Sequence, residues 1–275
     1  MSEPLRLALT LVPIGVLVGV LGSVTGAGGG FLIVPMLLLF GRVLVGHDFT
    51  PEEATGTSLL LAFLNSAAAS TKSARVGRID YRTGFLFALA TLPGAIGGRW
   101  LLRTVKPGFF GIALAVLLVA IALNMALGAP RVGRPRIRGT PREVAESTGE
   151  VHRFEVNYTL GMIVSFGIGF LSSFFGVGGG FVHTSMMVLV YGMPVHLATA
   201  TSQFALSFTS ATGGAEALFR GKIDWPVMLW MGLGVIGGGQ FGVVLAKKLP
   251  ARAVRMIVGG VLLVAAASLV ARGGP

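Results

Sequence analysis

The sequence predicts an all-α, polytopic membrane protein of two inverted repeats, each with about five helical segments and a short helix broken off by glycine. Three observations carry this reading. The 275-residue chain is 53% hydrophobic and 12% charged, with a mean hydropathy of +0.80, whereas an average soluble domain is about 25% charged. Most of its apolar residues gather into runs of about 17 to 24, and ~20 apolar residues cross a bilayer core as a helix. The motifs of the first half return, in order, in the second. Soluble enzymes and nucleic-acid modules are excluded by this composition. The net charge of +11 falls between the apolar runs, where basic residues orient a chain in the bilayer, so the lipid bilayer rather than nucleic acid is the expected partner. With no cysteine, thiolate zinc sites, iron–sulfur clusters, disulfides and a cysteine nucleophile are also excluded.

The elements follow in order. The first half (residues 1–128) has apolar runs at Leu5 to Thr25, Phe31 to Val45, Ala54 to Thr71, Thr83 to Leu102 and Phe109 to Leu127. The first run reads as retained structure, because it has one basic residue, Arg6, outlasts a signal core and reaches no small-residue cleavage site. A polar stretch, residues 129–157, carries six arginines and three prolines and reads as a cytoplasmic linker with no amphipathic period. The second half (residues 158–275) has runs at Tyr158 to Phe175, Phe181 to Tyr191, Leu197 to Leu218, Pro226 to Ala246 and Ala253 to Ala271.

The repeat itself rests on three motif pairs. Gly26-Ala27-Gly28-Gly29-Gly30-Phe31 returns as Gly176-Val177-Gly178-Gly179-Gly180-Phe181, Ala54-Thr55-Gly56-Thr57-Ser58 as Ala198-Thr199-Ala200-Thr201-Ser202, and Gly77-Arg78-Ile79-Asp80-Tyr81 as Gly221-Lys222-Ile223-Asp224-Trp225. Internal repeats point to a transporter, in which one repeat rocks against the other around a shared site. Five segments per half inverts the second copy, provided the short second segments cross. With the linker inside, 14 of the 22 basic residues fall on its side, in line with the positive-inside tendency. Both termini then lie outside.

Three consecutive glycines disfavour a helix interior by ~1 kcal/mol each relative to alanine. Helix breaks are therefore expected at Gly28, Gly29 and Gly30 and at Gly178, Gly179 and Gly180, each followed by a short helix whose N-terminus faces into the protein. Such an N-terminus offers free N–H groups and about half a positive charge to an anion; close helix packing is the alternative use of the glycines. Thr57 and Ser58, with Thr201, Ser202 and Gln203, add neutral donors suited to a fully ionised anion. Thr55 and Thr199 read as helix caps. Asn65, Ser66, Thr209 and Ser210 lie deeper, where a polar group must face protein or water. His183 is the ionisable side chain beside the second glycine run and joins the site candidates, with a core or capping role as its alternative. Arg99 is expected to snorkel to the interface. Every Asp and Glu lies in a loop or at a segment edge, which disfavours a mid-membrane carboxylate for ion coupling.

The repeated G-x-G-G-G-F, A-T-x-T-S and G-[RK]-I-D-[YW] motifs resemble those of the sulfite exporter TauE/SafE family, the 4-toluene sulfonate uptake permeases, over nearly the whole chain outside the linker. The resemblance implies a bacterial inner-membrane carrier for sulfite, organosulfonates or related sulfur-containing anions. Pro35 against Ser185 and Leu59 against Gln203 imply an asymmetric substrate site. The resulting expectation is a secondary transporter moving sulfite or a small organosulfonate, such as sulfoacetate, by alternating access. It is not an enzyme and needs neither metal nor cofactor; a homo-oligomer is left open. The rival readings are an anion channel and an intramembrane serine hydrolase using Ser58 or Ser202 with His183.

Overall fold

The computed structural model describes residues 3–126, 138–147, 149–246 and 251–271. The first part of the expected linker, 129–137, and the basic pair Lys247 and Lys248 lie outside the described residues. The helices α1 (Glu3–Thr25), α2 (Gly30–Val45), α3 (Pro51–Ala74), α4 (Tyr81–Leu102) and α5 (Pro107–Ala126) make up the first half. The second half holds α6 (Tyr158–Phe175), α7 (Gly180–Leu189), α8 (Val195–Phe219), α9 (Trp225–Leu245) and α10 (Ala251–Ala271). Between them the strands β1 (Thr140–Ala145) and β2 (Val151–Val156) pair antiparallel, with Val144 opposite His152. The sequence reading did not anticipate this hairpin. Its pattern is weak: β1 buries Val144 alone, β2 buries Phe154 and Val156, and Pro141 suits only an edge strand.

Among the described residues, five helices (within α1, α4, α5, α6 and α9) are long and apolar enough to cross a membrane. Each presents large apolar side chains outward, among them Leu17, Trp100, Val116, Ile163 and Phe241, as lipid contact requires. The central pair, α3 and α8, is different. It buries Thr55, Thr57, Ser58, Asn65, Thr201, Ser202 and Gln203, so the polar helices are shielded by the apolar ones. An unsatisfied polar group facing hydrocarbon would cost several kcal/mol.

The halves interlock. Helix α1 packs along α9 and α4 along α6, while α3 packs on α8 and α5 on α10. Exchanging the halves turns the first two pairings into each other and leaves the last two as they are. Glycine lets the swapped helices touch backbone to backbone: a Cβ on Gly15 or Gly234 would strike a carbonyl across α1 and α9, as would one on Gly94 or Gly169 across α4 and α6. The direction of each helix follows from these contacts. Gly15 lies by Met231 and Gly19 by Val235, so α1 and α9 run parallel; Gly56 lies by Ala217 and Gly213 by Leu59, so the equivalent helices α3 and α8 run antiparallel.

Candidate functional site

The glycine runs break the helices as expected. Helix α1 stops at Thr25 and α2 starts at Gly30; α6 stops at Phe175 and α7 starts at Gly180. Gly28 and Gly178 have φ of 72° and 69°, a left-handed conformation that a side chain strains. The two turns press on each other at the centre of the molecule. A Cβ on Gly30 would strike the Gly176 carbonyl, and one on Gly180 the Gly26 carbonyl. Two serines bridge this contact: Ser58 Oγ donates to the Gly176 carbonyl at 2.7 Å, and Ser202 Oγ sits between the Gly180 carbonyl at 2.6 Å and the Gly26 carbonyl at 3.5 Å.

The neighbouring threonines are engaged too, at opposite ends of the α3–α8 pair. Helices α3 and α8 close alike: Arg78 N–H reaches back to the Ser73 carbonyl and Lys222 N–H to that of Ala217, around Gly77 and Gly221 with φ of 69° and 67°. The chain then turns into Asp80 and Asp224, which cap α4 and α9 by accepting from the N–H groups of Thr83 and Val227. Asp80 N–H donates to Thr201 Oγ1 at 3.0 Å, and Asp224 N–H to Thr57 Oγ1 at 2.9 Å. A cationic-type side chain outside the repeat motif completes each end, Arg142 Nη2 at 2.7 Å from Asp80 Oδ1 and His47 Nε2 at 3.0 Å from Asp224 Oδ2. Each repeat's A-T-x-T-S motif therefore holds the other repeat's G-[RK]-I-D loop.

The first glycine turn keeps open hydrogen-bonding capacity. Gln203 Nε2 donates to the Gly22 carbonyl at 3.0 Å, while its Oε1 is buried without a partner among the described residues. Ser23 Oγ donates to Asn65 Oδ1 at 3.1 Å, which leaves Asn65 Nδ2 unpartnered. A Cβ on Gly22 would lie 2.5 Å from Gly29 N and 2.6 Å from Asn65 Nδ2, so both nitrogens pack closely against Gly22. Nothing among the described residues accepts from the N–H groups of Gly29 or Gly30. At the second turn Gly179 N–H reaches Ser172 Oγ and Gly180 N–H the Gly178 carbonyl, while the N–H groups of Gly176, Val177 and Gly178 find no acceptor among the described residues.

A cavity of about 420 Å3 ends at Ser23, Val24 and Gln203, just before the first turn. It descends along α8 from His196 through Thr199 to Gln203 and Ser23, and its mouth carries Arg78, Glu146 and Glu150. The hairpin sits over that mouth. Ser147 N–H donates to the Val76 carbonyl, Arg142 grips Asp80, and Arg78 Nε donates to Glu146 Oε2 at 2.9 Å. Burial raises the affinity of Glu146 for a proton, but the Arg78 hydrogen bond and charge outweigh it and hold the carboxyl below its ordinary range.

Other sequence-predicted residues stand apart from this arrangement or differ from it. His183 is buried, with Nε2 2.9 Å from Ser165 Oγ and its ring stacked on Phe87; it pairs with neither Ser58 nor Ser202. Thr55 is not a cap, because α3 starts four residues earlier with a capping box of Thr50 and Glu53. Its hydroxyl donates to the Pro51 carbonyl and accepts from Arg99 Nη1 at 2.8 Å. Thr199 is not one either, since Pro194 precedes α8. Arg99 does not snorkel: it is 2% exposed and its Nε lies 2.6 Å from Glu216 Oε2, where a full ion pair satisfies a guanidinium that solvent cannot reach. Sequence reasoning missed Ser23 and the hairpin cluster, whose partners are far off in the chain.

The profile of the family Sulfite exporter TauE/SafE matches residues 11–269. The chain is 29% identical over 265 residues to a protein of Bacillus subtilis (strain 168) named "Probable membrane transporter protein YunE", covering 96% of this chain and 97% of that one. It is 32% identical over 226 residues to "Probable membrane transporter protein ORF9" of a Sinorhizobium species, covering 82% and 77%. A likewise named protein of Methanocaldococcus jannaschii is 25% identical over 270 residues, covering 94% of each.

Proposed function

The chain belongs to the sulfite exporter TauE/SafE family of membrane transporters, and from that premise we propose that it is a secondary carrier, not an enzyme, for sulfite or a small organosulfonate in a bacterial inner membrane. The observation that carries the reading is the first glycine turn: donors without partners among the described residues at Gly29, Gly30 and Asn65, beside a cavity whose inner end is lined by Gln203 and Ser23. Sulfonate and sulfite oxygens accept hydrogen bonds and carry charge, so backbone N–H groups, a helix N-terminus and an amide suffice to hold them without a buried cation. In this reading Gly28, Gly29, Gly30 and Gln203 touch substrate. Gly178, Gly179, Gly180, Ser58, Ser202, Thr57 and Thr201 hold the opposing turn and loops against it, and His183 braces the second turn.

The substrate site is asymmetric because the halves differ there: Leu59 and Thr209 stand where the other half has Gln203 and Asn65. The antiparallel course of α3 and α8, with the parallel course of α1 and α9, supports inverted repeats that rock about the two glycine turns. The cavity on the hairpin side is then the cytoplasmic entrance.

The test is the thermal shift of detergent-purified protein with sulfite, sulfoacetate, taurine, sulfate, an aryl sulfonate and chloride. A bound substrate at ~100 times its Kd stabilises by about 2.7 kcal/mol, and that shift should be lost in Asn65→Leu. Equal shifts with every anion, or none with any sulfur anion, would remove the reading.

A further inference from the structure

At the mouth of the cavity, three metal-ligand side chains from two distant segments meet. Glu146 follows β1, His152 lies in β2 and His196 is in the first turn of α8. Glu146 Oε1 is 2.7 Å from His196 Nε2 and 3.3 Å from His152 Nε2, and the three ligand atoms lie within 4.8 Å of one another. Ligands at ~2.0–2.1 Å from a tetrahedral ion stand roughly 3.3 Å apart, so His196 has to draw back from Glu146 by several tenths of an ångström and swing toward His152, closing a separation that is at most 4.8 Å. It is free to do so, since its side chain is 44% exposed.

We propose that Glu146, His152 and His196 form a divalent transition-metal site of the zinc type, which pins the linker hairpin to α8 across the cavity mouth. Two imidazoles and one carboxylate suit zinc, cobalt or nickel rather than calcium or magnesium. The fourth position falls to water from the cavity or to Glu150, whose Oε1 is 3.8 Å from His152 Nε2. Arg78 takes the other carboxylate oxygen, Oε2, and so turns Oε1 toward both imidazoles, as an outer-shell partner does. Its positive charge also weakens the site relative to a thiolate cage, which fits a regulatory ion that comes and goes. Glu146 alone has an ion-pair explanation; two imidazoles converging on one of its oxygens from separate segments do not need one another for folding.

The chain lends itself to a clean measurement. It has no cysteine and four histidines, of which His183 is buried in α7 and His47 lies at the opposite end beside Asp224. The full chain, purified in detergent without a histidine tag, is titrated with Co2+ and followed by its visible absorption, then back-titrated with Zn2+. The expected result is a saturable spectrum of four- or five-coordinate cobalt, displaced by Zn2+. His196→Gln and His152→Gln should each weaken it by about 10- to 100-fold or more, while His47→Gln leaves it unchanged. His196→Gln keeps the Arg78–Glu146 pair, and its unchanged melting temperature without metal would separate lost ligation from misfolding. Wild-type protein without saturable Co2+ binding, or a His152→Gln/His196→Gln double variant that binds like wild type, would overturn the proposal. No transported anion enters the assay, so this outcome and that of the carrier reading are independent.

Discussion

Thr57 and Thr201 do the same work at opposite ends of the molecule. Each accepts the backbone N–H of an aspartate that caps the following helix of the other half, and Thr201, Asp80 and Thr83 are all buried. Replacing Thr201 by valine leaves the Asp80 N–H buried with no acceptor. The cost is ~1–3 kcal/mol, above the ~0.6 kcal/mol of an average hydrogen bond between membrane helices. Thr201→Val should therefore melt distinctly earlier in detergent than wild type, whereas Thr71→Val, which loses an exposed bond within its own helix, should not. Equal melting of all three proteins would remove the anchoring role. The sequence exposed these threonines as repeated motif positions and left their partner undetermined. Each hydroxyl could cap, pack or bind ligand, and the actual acceptor relation spans 121 and 167 residues, beyond any local spacing. The glycine turns were legible, because three consecutive glycines break a helix whatever surrounds them.

At the scale of elements, α3 and α8 define the geometry. They are equivalent in sequence yet run antiparallel, and so they place the loop at 72–80 and the loop at 216–224 at opposite ends. In a chain without cysteine, Arg75→Cys and Lys222→Cys each create a single labelling site. Impermeant maleimide applied to intact cells should modify Lys222→Cys and spare Arg75→Cys; labelling of both from one face would mean that the loops share a side. Apolar length revealed the helices, even the short α2 and α7. The hairpin escaped for a physical reason. Its strands have few inward residues and are held mainly by ion pairs to Asp80 and Arg78 and by the Val76 carbonyl, none of which leaves a period-two apolar signal.

Across the whole molecule, the exchange of helices interlocks the two halves, and the two glycine turns meet backbone to backbone within that packing. Backbone presses on backbone there, so movement of one turn displaces the other, and in the proposed carrier an anion held at one turn would bias both. The departures from symmetry, Gln203 and Asn65 against Leu59 and Thr209, place side-chain amides beside the first turn only, and the proposed carrier binds its substrate there. Counterflow of radiolabelled sulfite in proteoliposomes tests this most directly. Vesicles preloaded with unlabelled sulfite should accumulate label transiently and saturably through wild-type protein. Asn65→Leu should lower the apparent affinity by roughly tenfold or more, the loss expected for a charge-assisted hydrogen bond. Label that equilibrates without overshoot or saturation, or an Asn65→Leu protein with wild-type counterflow, would contradict the account.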